Sequence, residues 1–519
     1  MKNQDEKMSE KIPNPSEIQK EISDFVQKKY GGRVILQQPD IDREDEGPKS
    51  YERPSSVNFD LKPEELESFL KEYVVGQDKA IEIIATKICT HFNRMKLEST
   101  IEEEKKIVGN IKSNILMIGP TGVGKTYMIK LIAKKIGVPF VKGDATKFSE
   151  TGYVGGDVEE LVRDLVRIAD GDIKLAEYGI IYLDEIDKIA SSGIHYGPDV
   201  SRTGVQRNLL KLMEEAEVDL KAPHDLASQM EAAMQVQRTG KVERKKINTK
   251  NILFVVSGAF SELEDIIKKR MNKQKIGFGA EILSETEDNK YHILKNVKTE
   301  DLVKFGFESE FVGRLPVIAV FNDLDVEGLY EILKNPNSSV IQGKKLDFKS
   351  YGIDIEFEDD ALRLMAEMAH REKTGARGLV SVCEKILMKF EKKLPSTRIK
   401  KLVVTKSLIE NPEKELEKLL IKDSMKRFQE EFLKNSGIVI EFSDTAVRKI
   451  VNMSKNDKKD FYTICKELFK NYEYGLKLIG KSSFKVTPEI IKDPEVHLNN
   501  LIKETYRVHP ELKNNLLKE

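Results

Sequence analysis

A short glycine-rich motif follows an apolar run of strand length, and it constrains the fold of this chain more than any other feature. The apolar run is Asn114–Ile118, and the motif after it has the form G-x-x-x-x-G-K-[ST]. Its residues are Gly119, Pro120, Thr121, Gly122, Val123, Gly124, Lys125 and Thr126. Glycines let the backbone N–H groups turn toward phosphate oxygens, Lys125 can reach the terminal phosphates, and the Thr126 hydroxyl suits Mg²⁺. A helix is predicted over Tyr127–Ile136, and this strand–loop–helix context predicts a nucleotide-binding site.

A second apolar run ends in two acidic residues. The segment Gly179–Leu183 is typical of a buried strand, and Asp184 and Glu185 follow it directly. A nucleoside triphosphatase needs one carboxylate for Mg²⁺ and one for the attacking water, so we assign Asp184 to the metal and Glu185 to the water. Only 59 positions (184 − 125) separate Lys125 from Asp184. This spacing leaves no room for an inserted domain.

The composition indicates several domains and gives no sign of a nucleic-acid partner. A chain of 519 residues exceeds a single core, and 86 Lys plus Arg nearly balance 87 Asp plus Glu. The three cysteines, Cys89, Cys383 and Cys465, are too far apart for a zinc ribbon, and no histidines have ligand spacing, so we expect no zinc. No signal peptide or membrane span is recognisable, so we expect a cytoplasmic protein without a membrane partner.

Proline, glycine and hydrophobic periodicity divide the chain into four parts. Residues 1–60 are polar and interrupted by proline and glycine, which is typical of an appendage and linker. Strand-like and helical runs alternate over 61–323, which predicts an α/β domain with a parallel sheet between helices on both faces. Residues 324–420 predict a smaller, mainly helical domain with a short strand at Ile353–Phe357.

The last part of the chain, 421–519, repeats the small domain. The run Gly352–Arg363 recurs as Gly437–Arg448 with eight of twelve residues identical, and further matches follow in the same order. We therefore predict a degenerate second copy of the small domain. The second copy lacks the motif Gly375–Leu379 and with it one arginine. A chance likeness between two strand–helix pieces is the alternative.

A series of motifs from about Glu65 to Leu420 resembles the ClpX family, the ATPase unfoldase subunits of the Clp protease within the AAA+ superfamily. Besides the glycine-rich motif, these are Tyr73–Gln77, Gly152–Gly155, Asp184–Lys188, Ile276–Gly279, Glu310–Pro316 and Gly375–Leu379. The resemblance implies the AAA+ P-loop fold, ATP and Mg²⁺ as the ligands of the glycine-rich motif, and a homohexameric ring.

The resemblance also implies roles for individual residues. Val75 would contact the adenine. Arg314 would reach the γ-phosphate bound by the neighbouring subunit, so that hydrolysis depends on assembly. Arg377 would contact the same nucleotide from the small domain and couple its state to the angle between the domains. Tyr153 and Val154 would grip the substrate in the pore of the ring.

A docking loop is implied by Ile276, Gly277 and Phe278, which lie inside a polar stretch from Lys268 to Thr286. Exposed Ile and Phe side chains need a partner, and in the resembling family such a loop fills apolar pockets on the peptidase ring. The family's four-cysteine zinc domain is absent here. The loop 221–250 keeps basic charge without the family's motif, so substrate specificity cannot be transferred. Ser257 is a weak candidate for the polar residue that senses the nucleotide.

Together these features predict an ATP-driven unfoldase that threads unfolded or tagged proteins through a Tyr153-lined pore into a separate ClpP-type peptidase. A peptidase-independent remodelling or disassembly chaperone is the alternative, with the duplicated tail binding a partner. The family of ATPase partners of HslV shares the region Asp184–Lys188, but its members carry a large insertion between the two nucleotide motifs. The short spacing in this chain makes that family the weaker match.

Overall fold

The described residues contain a five-stranded parallel sheet with helices on both faces. The structure, a computed structural model, describes residues 60–100, 112–148, 157–190, 200–220, 245–274 and 287–508. These residues all belong to one compact unit, Ser56–Glu519. The predicted α/β architecture is confirmed.

The sheet is built from strands that alternate with helices along the chain. Through the last strand of the sheet, the described helices and strands are α1 (Pro63–Lys71), α2 (Asp78–Thr100), β1 (Ile115–Ile118), α3 (Lys125–Ile136), β2 (Phe140–Asp144), α4 (Glu160–Ile168), α5 (Ile173–Glu177), β3 (Ile180–Asp184), α6 (Val200–Glu214), β4 (Glu217–Asp219), β5 (Lys246–Asn248), β6 (Leu253–Gly258), α7 (Leu263–Gln274), α8 (Glu287–Leu294), α9 (Thr299–Phe305), α10 (Ser309–Gly313) and β7 (Val317–Val320). The strand order is β2-β3-β6-β1-β7, and all neighbours are parallel. Strands β4 and β5 form a separate antiparallel pair.

Alternate residues of the central strands enter two different cores. In β1, Ile115 and Met117 belong to one apolar cluster, whereas Leu116 and Ile118 belong to a second. Successive side chains of a strand point to opposite faces of a sheet, so a strand that is covered on both faces is apolar throughout. The first cluster continues past the sheet into the helices that follow β7.

The rest of the described chain is mainly helical. Its elements are α11 (Val326–Lys334), α12 (Ser339–Ser350), β8 (Asp354–Phe357), α13 (Asp359–Arg371), α14 (Ala376–Lys393), β9 (Lys401–Val404), α15 (Lys406–Glu410), α16 (Pro412–Ser436), β10 (Val439–Phe442), α17 (Asp444–Asp457), α18 (Phe461–Leu468), α19 (Tyr472–Leu478), β11 (Ser483–Val486) and α20 (Pro494–Val508). Strand β8 pairs in parallel with β9, and β10 pairs in parallel with β11. The two segments therefore share the order strand, helices, parallel strand. The duplication and the four domain boundaries stay predictions.

One continuous helix joins the small helical part to the tail. Helix α16 contributes Leu416 to the core that extends from the sheet, and Phe428 to a separate core formed with β10, β11 and the last four helices. Across this junction Arg398 forms an ion pair of 2.5 Å with Glu430. The tail is therefore packed on the preceding helices through an unbroken helix.

Several predictions fall on residues that the structure does not describe. They concern residues 1–59, Tyr153 and Val154, most of the loop 221–250, and Ile276, Gly277 and Phe278. In the described part of the chain, none of the helices combines the length and the apolar character needed to cross a membrane.

The polar stretch that begins at Lys268 is helical as far as Gln274, in helix α7. Two interactions explain why the helix forms there. Leu263 and Ile267 are fully buried, and Lys268 pairs with Glu264 one turn earlier at 2.7 Å. The loop predicted around this stretch is therefore shorter at its amino-terminal end.

Candidate nucleotide site

A cleft of about 320 Å³ lies at the carboxyl ends of β1 and β3. Such a volume suits a small molecule. Of the residues assigned from the sequence, Val75, the loop Thr121–Thr126, Asp184 and Arg377 line it together. Tyr73, which belongs to the motif Tyr73–Gln77, and Leu324, which the sequence had not indicated, add apolar surface.

Lys125 begins helix α3 and is almost fully buried. Its Nζ donates to the carbonyl oxygens of Gly119 (2.6 Å) and Pro120 (2.7 Å), so these two residues hold the lysine rather than line the cleft. Burial lowers the pKa of Lys125 to about 8, and the nearby charges of Asp184 and Asp187 only partly offset that effect. The two carbonyl oxygens are the present hydrogen-bond acceptors of the ammonium, and phosphate oxygens could take their place.

Four donors converge on the carboxylate of Asp184. Ser257 Oγ donates to Oδ1 at 2.8 Å, and the backbone N–H of Glu185 donates to the same oxygen at 3.2 Å. Lys142 Nζ lies 3.1 Å and Thr126 Oγ1 lies 3.4 Å from Oδ2. Burial raises the pKa of Asp184, but the hydrogen bonds from Ser257 and Lys142 outweigh it, so the net pKa is lowered. The carboxylate is therefore ionised and held in a fixed orientation.

Tyr182 links the hydroxyl groups of this network. Its Oη lies 3.0 Å from Thr126 Oγ1 and 2.6 Å from Ser257 Oγ. Burial raises the pKa of Tyr182 to about 12, so the hydroxyl stays neutral. The sequence analysis missed Tyr182 and Lys142. A signal was present, because Tyr182 lies two residues before Asp184 and so on the same face of β3.

Glu185 follows the strand in a left-handed backbone conformation, with φ 57° and ψ 33°. A non-glycine residue in this region is strained, and such strain persists only where the surrounding structure imposes it. The side chain is exposed and lines a neighbouring cavity of about 560 Å³ together with Arg202. The structure therefore places Asp184 in the nucleotide cleft and Glu185 beside it.

The helical part of the protein closes the cleft through direct backbone contact. The N–H of Ala376 donates to the carbonyl oxygen of Gly122 at 2.9 Å. A Cβ on Gly122 would lie 2.2 Å from the carbonyl oxygen of Thr374, so only glycine allows this approach. The contact brings the start of α14 and Arg377 to the cleft. Within the residues that the structure describes, no ion pair neutralises Arg377.

Arg314 lies at the amino-terminal ends of the strands, whereas the cleft lies at their carboxyl ends. Its carbonyl oxygen accepts a hydrogen bond of 3.0 Å from Asn114, which directly precedes β1, whereas the glycine-rich loop directly follows β1. The strand between them has four residues and spans about 13 Å. The guanidinium pairs with Glu214 at 2.5 Å and is about half exposed. The structure therefore does not bring Arg314 to the nucleotide cleft of its own chain.

These residues fit a nucleoside triphosphate with Mg²⁺. Backbone N–H groups at the start of α3, together with two cationic side chains, suit phosphates, and the apolar surface around Val75 suits a base. Among the described residues, no cluster of three or more His, Cys, Asp or Glu side chains could hold a metal ion alone. One hydroxyl and one carboxylate, completed by phosphate oxygens and water, are ligands typical of Mg²⁺.

A parallel α/β sheet, a phosphate-binding loop, an acidic strand end and a helical part that closes the cleft define a P-loop ATPase of the AAA+ class. The comparison of families agrees, because residues 110–318 match the family described as AAA domain (Cdc48 subfamily).

Comparison with individual proteins identifies the family within this class. The chain is 40% identical over 362 residues to the ATP-dependent Clp protease ATP-binding subunit ClpX of Borrelia duttonii (strain Ly), and equally to that of Borrelia recurrentis (strain A1). Both matches cover 67% of this chain and 78% of the relative. ClpX of Treponema denticola is 38% identical over 352 residues, covering 67% and 81%. This chain belongs to the ClpX family and is an ATPase.

Proposed function

We propose that this protein is an ATP-driven unfoldase and translocase that works as a ring, most simply a homohexamer. The position of Arg314 supports this proposal most strongly. Arg314 lies at the end of the strands away from its own cleft and its guanidinium is half exposed, so it would act on a nucleotide bound by a neighbouring chain. Closed rings of identical subunits present such heterologous contacts at every interface.

ATP is the substrate of the proposed reaction. Val75 would contact the base, and the loop Thr121–Thr126 would bind the phosphates. Mg²⁺ held by Thr126 and Asp184 would neutralise charge on the phosphate oxygens. Lys125 would bind the terminal phosphates, and Glu185 would orient and polarise the attacking water.

Two arginines would complete the site from different directions. Arg377 would contact the nucleotide from the small domain of the same chain, and Arg314 would reach it from the next subunit. A guanidinium placed on the γ-phosphate stabilises the charge of the transition state. The backbone contact between Gly122 and Ala376 would transmit nucleotide binding to the orientation of the small domain.

Mechanical work requires a part that holds the substrate. Tyr153 and Val154 are proposed to grip the polypeptide in the pore, and Ile276, Gly277 and Phe278 are proposed to dock on a ClpP-type peptidase. The family membership supports docking on a peptidase, because the relatives are named as subunits of the ATP-dependent Clp protease. Unfolded or tagged proteins would be the substrates.

A second candidate function is remodelling of protein complexes without a peptidase. The tail supports it, because it has a core of its own and is proposed to be a second small domain available to bind a partner. Glycine at 375 closes the first copy onto the glycine-rich loop. The tail has no such Gly-Ala-Arg-Gly motif, so it is not expected to close a nucleotide cleft.

Degradation of a tagged, stably folded reporter separates the two functions. The full chain would be mixed with a ClpP-type peptidase and ATP, and compared with Phe278→Ala. We expect degradation by the unchanged protein, and its loss in the variant with ATP turnover near normal. Degradation that survives the substitution would exclude docking through this loop. ATP turnover without any degradation would favour the remodelling function.

A further inference from the structure

Lys142 occupies a special position among the donors around Asp184. It lies inside β2, in register with Tyr182 of β3, and its ammonium reaches diagonally to the carboxylate at the end of β3. The distance from Nζ to Oδ2 is 3.1 Å, and the lysine side chain is 46% exposed against 21% for Asp184. A flexible cation therefore contacts the carboxylate oxygen that Thr126 Oγ1 also approaches.

We propose that Lys142 is a resident counter-cation of the magnesium site, which neutralises Asp184 in the nucleotide-free protein and transfers to nucleotide phosphate when Mg²⁺ takes the carboxylate. This inference rests on the proposed function, in which Thr126 and Asp184 hold Mg²⁺. It makes Lys142 a positioning residue that couples the binding of metal to the binding of nucleotide.

The charges of the cleft explain why such a cation is needed. The other lysine of the site, Lys125, is fixed by the carbonyl oxygens of Gly119 and Pro120 and does not contact Asp184. Without Lys142 the half-buried carboxylate would have only hydrogen-bond donors as partners. A metal ion entering without nucleotide must therefore displace an ammonium that is already in contact with the carboxylate.

Nucleotide changes this balance because it brings several negative charges. The long side chain of Lys142 then has phosphate oxygens as an alternative partner, and Asp184 becomes free for the metal. Without metal, the same ammonium would neutralise part of the negative charge of the bound phosphates. Lys142 should therefore raise the affinity for metal-free nucleotide more than the affinity for the Mg²⁺ complex, and by linkage the effect is reciprocal.

The test is the affinity of the full chain for a fluorescent ADP, measured with saturating Mg²⁺ and with EDTA. Lys142→Met should lower the affinity in EDTA by about 10-fold and the affinity with Mg²⁺ by less than about 3-fold, so that the stimulation by Mg²⁺ increases. Lys147→Met, which removes an exposed lysine a few residues away, should leave the stimulation unchanged. Lys142→Arg keeps the charge and should behave like the unchanged chain.

Asp184→Asn separates this inference from the proposed function. If Asp184→Asn loses the stimulation by Mg²⁺ and Lys142→Met keeps it unaltered, the role of Lys142 as a counter-cation is wrong, whereas the assignment of Asp184 to the metal stands. A Lys142→Arg chain that behaves like Lys142→Met would also overturn it. Stimulation that persists in Asp184→Asn would instead contradict the metal assignment on which the inference rests.

Discussion

The side chain of Asn114 joins Arg314 to the centre of the sheet. Its Nδ2 donates to the carbonyl oxygen of Arg314 at 3.0 Å, and its Oδ1 accepts the backbone N–H of Phe254, in β6, at 3.2 Å. Asn114 is almost fully buried, so both hydrogen bonds are shielded from water. The backbone of Arg314 is therefore fixed to the same strand whose far end carries Ser257, the partner of Asp184.

The first prediction concerns this arginine. Arg314→Ala should leave the affinity for ATP within about 2-fold and lower turnover by about 10³-fold, because its guanidinium would act on the transition state of a neighbour. Mixing Arg314→Ala with Glu185→Gln subunits should restore part of the turnover, since each variant supplies what the other lacks. Steady-state ATPase assays of both variants and the mixture measure this. No recovery in mixed assemblies would exclude action between subunits.

The second prediction is a pH dependence of nucleotide affinity. Phosphates favour the charged form of Lys125, whose pKa in the free protein is lowered to about 8. Affinity should therefore be nearly constant below that pH and fall above it, by up to about 10-fold per pH unit, because binding must then take up a proton. Titration of a fluorescent ADP between pH 7 and 9.5 measures the slope. Lys125→Ala should bind weakly and show no slope, and a flat profile in the unchanged protein would contradict the prediction.

The third prediction concerns the contact that closes the cleft. Gly375 has a φ of 60° and a ψ of −144°, and a Cβ there would lie 2.9 Å from the carbonyl oxygens of Thr121 and Gly122. Gly375→Ala should therefore separate α14 from the glycine-rich loop and weaken nucleotide binding by about 10-fold, which corresponds to about 1.4 kcal/mol. Gly343→Ala is the matched control, since no atom would lie within 4 Å of its Cβ. Equal affinities of the two variants in equilibrium titrations would argue against this contact.

The fourth prediction concerns stability. Arg270 Nε donates to both carboxylate oxygens of Asp301, at 2.8 and 3.1 Å, and Asp301 is fully buried. Asp301→Ala should lower the free energy of unfolding by about 3 to 5 kcal/mol, because it removes the hydrogen-bonded carboxylate from a buried guanidinium and leaves it only the more distant Glu300. Glu300→Ala removes a carboxylate that is 50% exposed and 3.7 Å from the same nitrogen, and it should cost less than about 1 kcal/mol. Urea unfolding curves compare the two, and equal midpoints would contradict the prediction.

Local motifs allowed the core of the site to be predicted from sequence. The loop Thr121–Thr126 and Asp184 follow buried strands, and parallel strands bring their carboxyl ends to one edge, so their meeting in one cleft follows from the fold class. The helices and strands around them were predicted for the same reason. In each case, apolar runs of the right length were bounded by glycine or acidic residues.

Contacts between distant segments could not be predicted in this way. Lys142 meets Asp184 only because β2 and β3 pair in one particular register. The ion pair of Arg314 with Glu214 joins residues 100 positions apart, and it depends on how α6 packs against α10. Such contacts depend on tertiary packing, and they cannot be predicted from secondary-structure propensity or from the spacing of motifs.

Helix α16 has a geometric consequence. Its 25 residues correspond to a rod of about 37 Å, whose first turns join the core that includes α14 and whose last turns lie in the core of the tail. A tilt of about 10° at the near end would displace the far end by roughly 6 Å over that length. A small rotation of this helix beside the cleft would therefore move the tail by a distance comparable to two residues of extended polypeptide.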